Sequence, residues 1–522
     1  MPVFGNIIKR GLTLGARINK TGQQIPPIQH QRRTLKRLLK KAHPSAFGQY
    51  YDFKNILKTD NTILAFQEKV PIHTYDEMHD RWWHMTLNNV ENVSWKGKVK
   101  YFALSSGTSG APSKHLPITE DMLKSMRKAG LRMFFALTNF DLDPELFTKP
   151  MLMLGGTTAL QHQGGYYKGD LSGINASKPP FWLRPYYKPG TKISRINDWN
   201  SRIEEIVKQA PEWDIGFIVG IPSWLQLMME RIIEYHKVDT IHDIWPNLRV
   251  FVHGGIHFEP YKKGFEKLTS KPLIYMDSYL ASEGFIAFQN RPETRAMKLL
   301  LSNGIFYEFL TFNEENFDEE GNIKANPKCL SIDLVEEGVD YALILSSCAG
   351  AWRYMIGDTV RFLDKARSEI IITGRTRHYL SICGEHLSVD NMNQGIQEVE
   401  EQLDLNIREF TVSAVESGKF FTHKWYIGCD VSADTEKVKT ILDDKLKEIN
   451  ADYETERGSV LQEIKVELIP TTVFYLYQKS EGKLGGQNKF PRVMKKEKFA
   501  KWETFVREKL STQEINSDEL FN

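Results

Sequence analysis

The chain has 522 residues, more than one hydrophobic core usually serves, so we expect two or more domains. Its 68 Lys and Arg residues nearly cancel its 66 Asp and Glu residues, and a net charge of +2 argues against a general nucleic-acid binder. No apolar run approaches the ~20 residues that cross a bilayer. The four cysteines lack metal-knuckle spacing and favour a reducing compartment, which predicts a cytoplasmic protein.

The first fifty residues contain ten Lys and Arg residues and no Asp or Glu. An organellar transit peptide or a membrane-surface helix has this composition. The alternative is a packed helix, because Leu35, Leu38, Leu39 and Ala42 recur at helical spacing and basic residues fill the other face. We favour the packed helix, since serine is scarce here.

A loop of small and hydroxyl residues is the most informative stretch of the chain. The apolar run 99–104 predicts a buried strand before it, and Thr119 predicts the N-cap of a helix after it. Such a loop can aim backbone N–H groups and hydroxyls at phosphate oxygens. Lys114 comes one residue too late for the P-loop of ordinary NTPases, so we predict a phosphate loop of another kind, with a plain surface loop as the alternative. Its candidate residues are Ser105, Ser106, Gly107, Thr108, Ser109, Gly110 and Lys114.

Strand-like and helical stretches alternate after this loop. Strands are predicted at 151–154, 215–221, 248–252 and 273–276, and helices at 203–209 and from Ser223. This alternation predicts an α/β fold with substantial parallel sheet. Ligands bind beyond the carboxyl ends of such strands, and Gly254 and Gly255 lie at one of these ends.

Two polar clusters follow further along the chain. In residues 277–283, Tyr279 can stack on a purine, Ser282 can donate to a phosphate and Glu283 can hold Mg²⁺; the alternative is a polar loop with Tyr279 in the core. Asp358 is predicted at a glycine turn, where it can accept from a ribose diol, or simply serve as a turn carboxylate.

A domain hinge is predicted after the apolar strand 370–372. Gly374 and Arg375 form a glycine turn there, and a second one follows at Gly384. We therefore divide the chain into a large N-terminal domain (1–373), a hinge (374–384) and a small C-terminal domain (385–522).

Taken together and in this order, the clusters resemble the adenylate-forming superfamily, and within it the auxin-responsive Gretchen Hagen family of acyl acid–amido synthetases. The loop 105–114 is similar to the family's phosphate motif, and Tyr279 with Ser282 and Glu283 to its tyrosine–hydroxyl–glutamate motif. Residues 354–358 and 485–492 are similar to its glycine–aspartate and C-terminal motifs. The chain departs from the superfamily at His378, where many members carry aspartate in the hinge, and Lys489 follows Asn488 rather than glycine.

The resemblance implies a mixed-sheet N-terminal domain with flanking helices and a smaller, mobile α+β C-terminal domain. It implies an ATP- and Mg²⁺-dependent ligase that adenylates a carboxylic acid and transfers the acyl group to an amine, most simply an amino acid. Lys489 and Glu283 would be catalytic, with Glu283 as the metal ligand. The nucleotide would be bound by the loop, Gly254, Gly255, Tyr279, Ser282, Asp358 and Arg375.

Two alternatives stay open at this point. A coenzyme A ligase shares the adenylation step and differs in the acceptor, and a scaffold protein could keep the fold without catalysis. We expect a monomer with no nucleic-acid partner and no membrane span.

Overall fold

The computed structural model describes residues 25–105, 114–177, 181–255, 258–318, 321–325, 327–376, 379–380, 387–417, 420–457, 461–485 and 488–511. Its α-helices are α1 (Pro27–Ala42), α2 (Ala46–Tyr50), α3 (Phe53–Ile56), α4 (Thr62–Lys69), α5 (Tyr75–Met78), α6 (His84–Leu87), α7 (Glu120–Ala136), α8 (Leu171–Ala176), α9 (Thr191–Ser194), α10 (Trp199–Gln209), α11 (Pro222–His236), α12 (Glu259–Lys267), α13 (Val389–Leu403), α14 (Thr435–Ile449), α15 (Ala451–Arg457), α16 (Thr471–Ser480) and α17 (Lys496–Ser511).

The strands are β1 (Tyr101–Ser105), β2 (Lys114–Ile118), β3 (Met151–Leu154), β4 (Gln161–Gln163), β5 (Tyr166–Gly169), β6 (Tyr187–Lys188), β7 (Phe217–Gly220), β8 (Val250–Gly254), β9 (Ile274–Ala281), β10 (Gly284–Phe288), β11 (Met297–Leu299), β12 (Ile305–Thr311), β13 (Asp340–Ser347), β14 (Tyr354–Asp364), β15 (Glu369–Arg375), β16 (Tyr379–Leu380), β17 (Leu387–Ser388), β18 (Phe410–Ser417), β19 (Phe420–Gly428) and β20 (Lys465–Ile469).

Eleven strands form one mixed sheet in the order β12-β13-β14-β15-β11-β10-β9-β8-β7-β3-β6. The half from β9 to β6 is parallel, and the half from β12 to β10 is antiparallel. A four-stranded sheet, β2-β1-β5-β4, lies beside it. The predicted class, mixed and parallel sheets with flanking helices in a large N-terminal part, is confirmed.

The basic helix near the N-terminus is α1, and it packs as predicted. Leu35, Leu38, Leu39 and Ala42 are buried in the largest hydrophobic core, against β12 and its neighbours. Its basic residues occupy the opposite face, because a helix with one apolar stripe gains most by burying that stripe alone.

The segment after the predicted phosphate loop differs from the expectation. Lys114 does not lead directly into a helix: it begins β2, which pairs antiparallel with β1 in the register Ser105↔Lys114. Thr119 then caps α7 as predicted, since its hydroxyl accepts a hydrogen bond of 3.1 Å from the Met122 N–H. The residues Ser106, Gly107, Thr108, Ser109 and Gly110 lie outside the described part of the chain.

Two predicted turns are strands in the structure. Residues 277–281 continue β9 rather than forming a loop, and only Ser282 and Glu283 turn, as the two-residue connection of the β9–β10 hairpin. Asp358 and Arg375 likewise lie within β14 and β15 and face each other in register. Apolar neighbours on both sides extend these strands across the glycines that suggested turns, and Gly357 is accommodated by a positive φ of +87° within β14.

A smaller α/β part follows β17. The sheet β18-β19-β20 is covered by α13 and α14 in a core that includes Phe410, Trp425 and Leu442. One face of helix α16 packs against the large part, since Tyr475 and Leu476 belong to the core of that part, beside Trp224. The predicted smaller α+β C-terminal part is therefore confirmed as a fold, and α16 connects it to the parallel half of the large sheet.

Three of the cysteines, Cys329, Cys348 and Cys429, are buried, while Cys383 lies outside the described residues. Burial raises the pKa of the Cys329 and Cys348 thiols to about 12. Within the described ranges, no helix is both long and apolar enough to cross a membrane.

Candidate active site at the carboxyl edge of the parallel strands

Glycines line the carboxyl ends of the parallel strands. Gly254 is paired with Ser278 on the next strand, and a Cβ at Gly254 would overlap the Ser278 carbonyl oxygen. Gly255 follows with φ of +88°, a conformation that L-residues rarely adopt. The absence of side chains leaves backbone accessible at this edge, where α/β sheets bind their ligands.

Glu283 stands at the tip of the β9–β10 hairpin, with Ser282 beside it. Burial and, second to it, the nearby Asp358 carboxylate together raise the pKa of the Glu283 carboxyl to about 7, against the opposing charges of Arg375 and Lys114. The Asp358 carboxylate is thus close enough to disfavour the charged form of Glu283, an effect that a cation would offset.

A cluster of three side chains joins β9, β14 and β15. The Tyr279 hydroxyl donates a 2.5 Å hydrogen bond to Asp358 Oδ2, and Arg375 Nε lies 2.9 Å from Asp358 Oδ1. Burial and the Asp358 charge raise the Tyr279 pKa well above its usual value, so this phenol stays a proton donor. The Asp358 charge also raises the pKa of Arg375, whose side chain remains 44% exposed and therefore available to a ligand.

The backbone around this cluster is fixed by Gly357 and Thr376. The Thr376 N–H donates to the Gly357 carbonyl oxygen at 2.8 Å, and Arg375 donates to the Ile356 carbonyl oxygen at 3.2 Å. Tyr354 is buried at the start of the same strand, where burial and the Glu283 charge raise its pKa well above the usual value.

Lys114 reaches the same region from β2. Its ammonium lies 5.1 Å from the centre of the Tyr75 ring, and the Tyr75 hydroxyl accepts a 2.9 Å hydrogen bond from the His115 N–H. Its charge lowers the pKa of Glu283, which places the two groups within electrostatic range. The end of the predicted phosphate loop thus faces the hairpin turn.

Lys489 approaches the glycine edge from the C-terminal part. A Cβ built on Gly255 would lie 3.2 Å from Lys489 Cε and 3.4 Å from its Nζ, so the lysine packs against the bare backbone of that glycine. The residue keeps solvent exposure, and the surrounding protein lowers the pKa of its ammonium to about 8, with Asp358 opposing and Arg375 adding to this shift.

The segment that carries Lys489 is anchored on both sides. The Trp224 indole N–H donates a 3.0 Å hydrogen bond to the Asn488 carbonyl oxygen, and Gly485 lies so close to the Trp199 ring that a Cβ would overlap it. Further along, Arg492 Nη1 lies 2.7 Å from Glu409 Oε2.

Polar contacts with α11 and α12 hold the small part in place, and two of them are short. The Tyr261 hydroxyl donates a 2.7 Å hydrogen bond to Glu409 Oε1, and Arg408 Nη1 lies 3.1 Å from Glu230 Oε1. The structure therefore shows the small part docked so that Lys489 faces Gly255.

The structure brings together most of the predicted residues that it describes: Gly254, Gly255, Tyr279, Ser282, Glu283, Asp358, Arg375, Lys114 and Lys489. His378 and the second hinge glycine, Gly384, fall outside the described residues. Sequence reasoning missed Tyr75 and Glu230. Tyr75 contacts the site region through the His115 backbone N–H, and Glu230 pairs with Arg408 more than a hundred residues away, so no local motif marks either residue.

The comparisons with known proteins agree on one family. Models of the N-terminal, central and C-terminal domains of the GH3 family match residues 24–203, 298–369 and 390–498. Among solved structures, the GH3.15 acyl acid amido synthetase superposes with a TM-score of 0.75 at 15% identity, covering 96% of both chains. These findings define an α/β protein with the GH3 fold.

The chain belongs to the GH3 family. It is 27% identical over 183 residues to the indole-3-acetic acid-amido synthetase GH3.2 of Arabidopsis thaliana, a match that covers 33% of this chain and 31% of that protein. It is 21% identical over 392 residues to the jasmonoyl–L-amino acid synthetase JAR4 of Nicotiana attenuata, covering 63% and 66%. The sequence matches thus span less than two thirds of both plant relatives' lengths, while the resemblance to the family that the motifs indicated is confirmed.

Proposed function

We propose that this protein is an acyl acid amido synthetase: it uses ATP to convert a carboxylic acid into its acyl-adenylate and passes the acyl group to an amine, most simply an amino acid. The family supports this proposal, since the plant relatives are named as amido synthetases of indole-3-acetic acid and of jasmonate. The observation that carries it is the convergence of Tyr279, Asp358 and Arg375 with Lys489 at the glycine edge of the sheet.

The nucleotide would lie across this edge. Asp358 would accept from the ribose hydroxyls, Tyr279 would contact the adenine, and Arg375 would reach the ribose or a phosphate. Ser282 would donate to the α-phosphate. The backbone and hydroxyls of the loop would hold the other phosphates, with Lys114 supplying charge; these residues are Ser105, Ser106, Gly107, Thr108, Ser109 and Gly110. Gly254 and Gly255 would line the adenine, because only bare backbone admits a flat ring so close to the strands.

The residues present fit a magnesium ion. Burial and the Asp358 charge raise the cost of ionising Glu283, which a divalent cation would offset, and Mg²⁺ typically takes one or two carboxylates with the rest of its shell from substrate phosphates and water. Glu283 would be the protein ligand. Bound there, the ion would neutralise phosphate charge; within the described ranges, no group of three or more His, Cys, Asp and Glu side chains could hold a metal without such help.

Adenylation joins two anions, so the chain must neutralise charge. The carboxylate attacks the α-phosphorus of ATP, and pyrophosphate leaves. The amine that attacks later then displaces AMP, a good leaving group, instead of oxide. Lys489 and Arg375 would stabilise the charge that develops on the phosphate oxygens, from fixed positions that need no reorganisation. The amine then attacks the acyl carbonyl, and AMP leaves.

A domain movement between the two half-reactions is part of the proposal. Its division is the predicted one, 1–373 and 385–522 joined by the hinge 374–384. The docked state, with Lys489 against Gly255, supports assigning the structure to the adenylation step, and the small part would turn away to admit the amine. The cytoplasmic location and the monomeric state stay predictions from the sequence.

An acceptor assay tests the proposed function. The purified protein is incubated with ATP, Mg²⁺ and a panel of aryl and aliphatic acids, with each amino acid or with coenzyme A. We expect acid-dependent release of pyrophosphate and AMP, and an amide product by mass spectrometry. A thioester product would identify a coenzyme A ligase, and the absence of pyrophosphate release with every acid would favour a scaffold protein.

A further inference from the structure

Basic residues of α1 and α7 form a second charged region, away from the site described above. We call it the basic face and define it by Arg33, Arg37 and Lys41 of α1 and Lys124, Lys128 and Arg132 of α7. Five of the six are exposed, and Arg132 is partly so. A chain with a net charge of only +2 therefore concentrates positive charge on one surface.

The two helices lie side by side on the segment that leads into β12. Lys41 Nζ is 2.6 Å from Asp121 Oδ1 at one end of the pair. At the other end, Arg132 donates to Ser302 Oγ at 3.2 Å. Because these contacts fix both helices, the basic face is a feature of the fold rather than of a single flexible side chain.

The charges of this face oppose one another. Burial lowers the pKa of Arg132, and the neighbouring Arg37 lowers it further; Lys128 is affected in the same way by burial and by both arginines. Among the described residues, Lys41 is the member of the face that forms an ion pair, with Asp121. Repulsion of this kind costs free energy in the free protein and is relieved by an anionic partner.

One exposed apolar side chain beside the face, Leu131, indicates which anion the face fits. Leu131 is 46% exposed and lies one helical turn from Lys128. An exposed leucine among cations gains from the boundary between lipid head groups and acyl chains, and gains nothing from a phosphodiester backbone.

The sequence before α1 also combines basic residues with large apolar residues. Residues 1–20 contain no acidic residue, and at 100° per residue their larger apolar residues fall in one half of a helical projection and their basic residues in the other. The apolar set is Val3, Phe4, Ile7, Ile8, Leu12, Leu14 and Ile18, and the basic set is Lys9, Arg10, Arg17 and Lys20. This pattern is typical of segments that lie on membrane surfaces, and stable attachment generally needs two such signals.

We propose that the basic face docks this protein on a membrane surface that carries anionic phospholipids. The attachment is peripheral and electrostatic, so it weakens as salt screens the charges. None of the six residues is one of the candidate active-site residues, so the proposal does not depend on that site.

Vesicle flotation of the full chain tests the proposal. The probes are phosphatidylcholine vesicles with and without phosphatidylserine, at low and high sodium chloride. We expect binding only to the anionic vesicles, with loss at high salt. Equal binding to both kinds of vesicle, or to neither, would overturn the proposal, as would preferential binding of a short RNA duplex that displaces the protein from the vesicles.

Two matched variants locate the surface. The face variant Arg33→Gln/Arg37→Gln/Lys124→Gln/Lys128→Gln removes four exposed cations, and we expect its vesicle binding to fall about a hundredfold or more. The control variant Lys437→Gln/Lys465→Gln/Lys501→Gln/Arg507→Gln removes four exposed cations from the small part and should bind normally. An equal loss in both variants would show a response to net charge alone and would contradict the proposal.

Folding and activity are measured on the same samples. The control variant should keep the native thermal midpoint, and the face variant should equal or exceed it, because its mutual repulsion is reduced. Both should keep acid-dependent pyrophosphate release, since none of the eight residues lies in the proposed active site. If the face variant unfolds, the single variants Arg37→Gln and Lys128→Gln take its place, and each should weaken vesicle binding several-fold. Vesicle binding does not depend on catalysis, so this test stands even if the proposed function fails.

Discussion

Removal of the Lys489 ammonium should separate the two half-reactions. The structure places Lys489 against Gly255, where it can reach a nucleotide during adenylation, and it is carried by a part of the chain that would turn away afterwards. One preorganised charge of this kind contributes about 10²–10³ to a rate. Lys489→Ala should therefore slow acid-dependent pyrophosphate release about 10²–10³-fold, while acyl transfer from a synthetic acyl-adenylate to an amine changes little.

The pH dependence of adenylation tests the role of the Lys489 ammonium independently. The surrounding protein partly desolvates the ammonium and lowers its pKa to about 8, so the ammonium predominates below pH 8 and the neutral amine above it. The kcat/KM of adenylation should fall as the pH rises through about 8, since this parameter reports the free enzyme. Lys489→Arg keeps its charge at these pH values, so the fall should be absent from whatever activity remains.

The control is Lys483→Ala, which changes a lysine that precedes Lys489 in the chain and does not contact Gly255. It should leave both half-reactions unchanged. Stopped-flow measurement of pyrophosphate release and mass spectrometry of the amide report the two steps separately. Equal loss of both steps in Lys489→Ala, or a Lys489→Arg profile that falls as in the native enzyme, would refute the reasoning.

Three further variants test the site and the core. Asp358→Asn deprives Tyr279 and Arg375 of a charged partner and should weaken ATP binding about tenfold to a hundredfold by calorimetry. The control Asp340→Asn on β13 should leave ATP binding unchanged. Unchanged ATP affinity in Asp358→Asn would count against the nucleotide assignment. Gly255→Ala adds a Cβ 3.2 Å from Lys489 Cε at a φ of +88° and should slow adenylation by about 10²-fold, while Gly97→Ala, with a similar φ and open space around it, should not; similar rates in the two would exclude the contact. Glu308→Gln leaves the buried guanidinium of Arg353 without its carboxylate and should lower the free energy of unfolding by about 3–5 kcal/mol in urea titration. The control Glu205→Gln breaks the exposed pair with Lys208 and should change this free energy little. An unaltered urea midpoint in Glu308→Gln would show that the buried pair is dispensable.

The sequence predicted the class of the fold because its signals were local. Apolar runs such as 151–154 and 215–221 predicted strands, and the structure has parallel strands β3 and β7 there. Helix α1 followed from the spacing of its leucines. Strand ends were less predictable: Gly357 and Gly374 suggested turns, yet hydrogen bonding between β14 and β15 carries both strands past them.

The sequence predicted which residues belong to the candidate site, but not which of them contact one another. Tyr279, Asp358 and Arg375 were each assigned to a nucleotide, but nothing local shows that the Asp358 carboxylate joins the other two. The β2 strand at Lys114 was missed because its pairing with β1 spans a loop, and hairpin pairing is decided by the partner strand rather than by the residues themselves. The docking of Asn488 on Trp224 likewise depends on a contact across 264 residues of sequence.

Isotope transfer from the acid tests the central claim most directly. If the carboxylate attacks the α-phosphorus of ATP, an acid labelled with heavy oxygen in its carboxyl group must leave one labelled oxygen in the AMP that is released. We predict labelled AMP and unlabelled pyrophosphate by mass spectrometry. Label in inorganic phosphate, together with ADP, would show attack at the γ-phosphorus and would contradict the account.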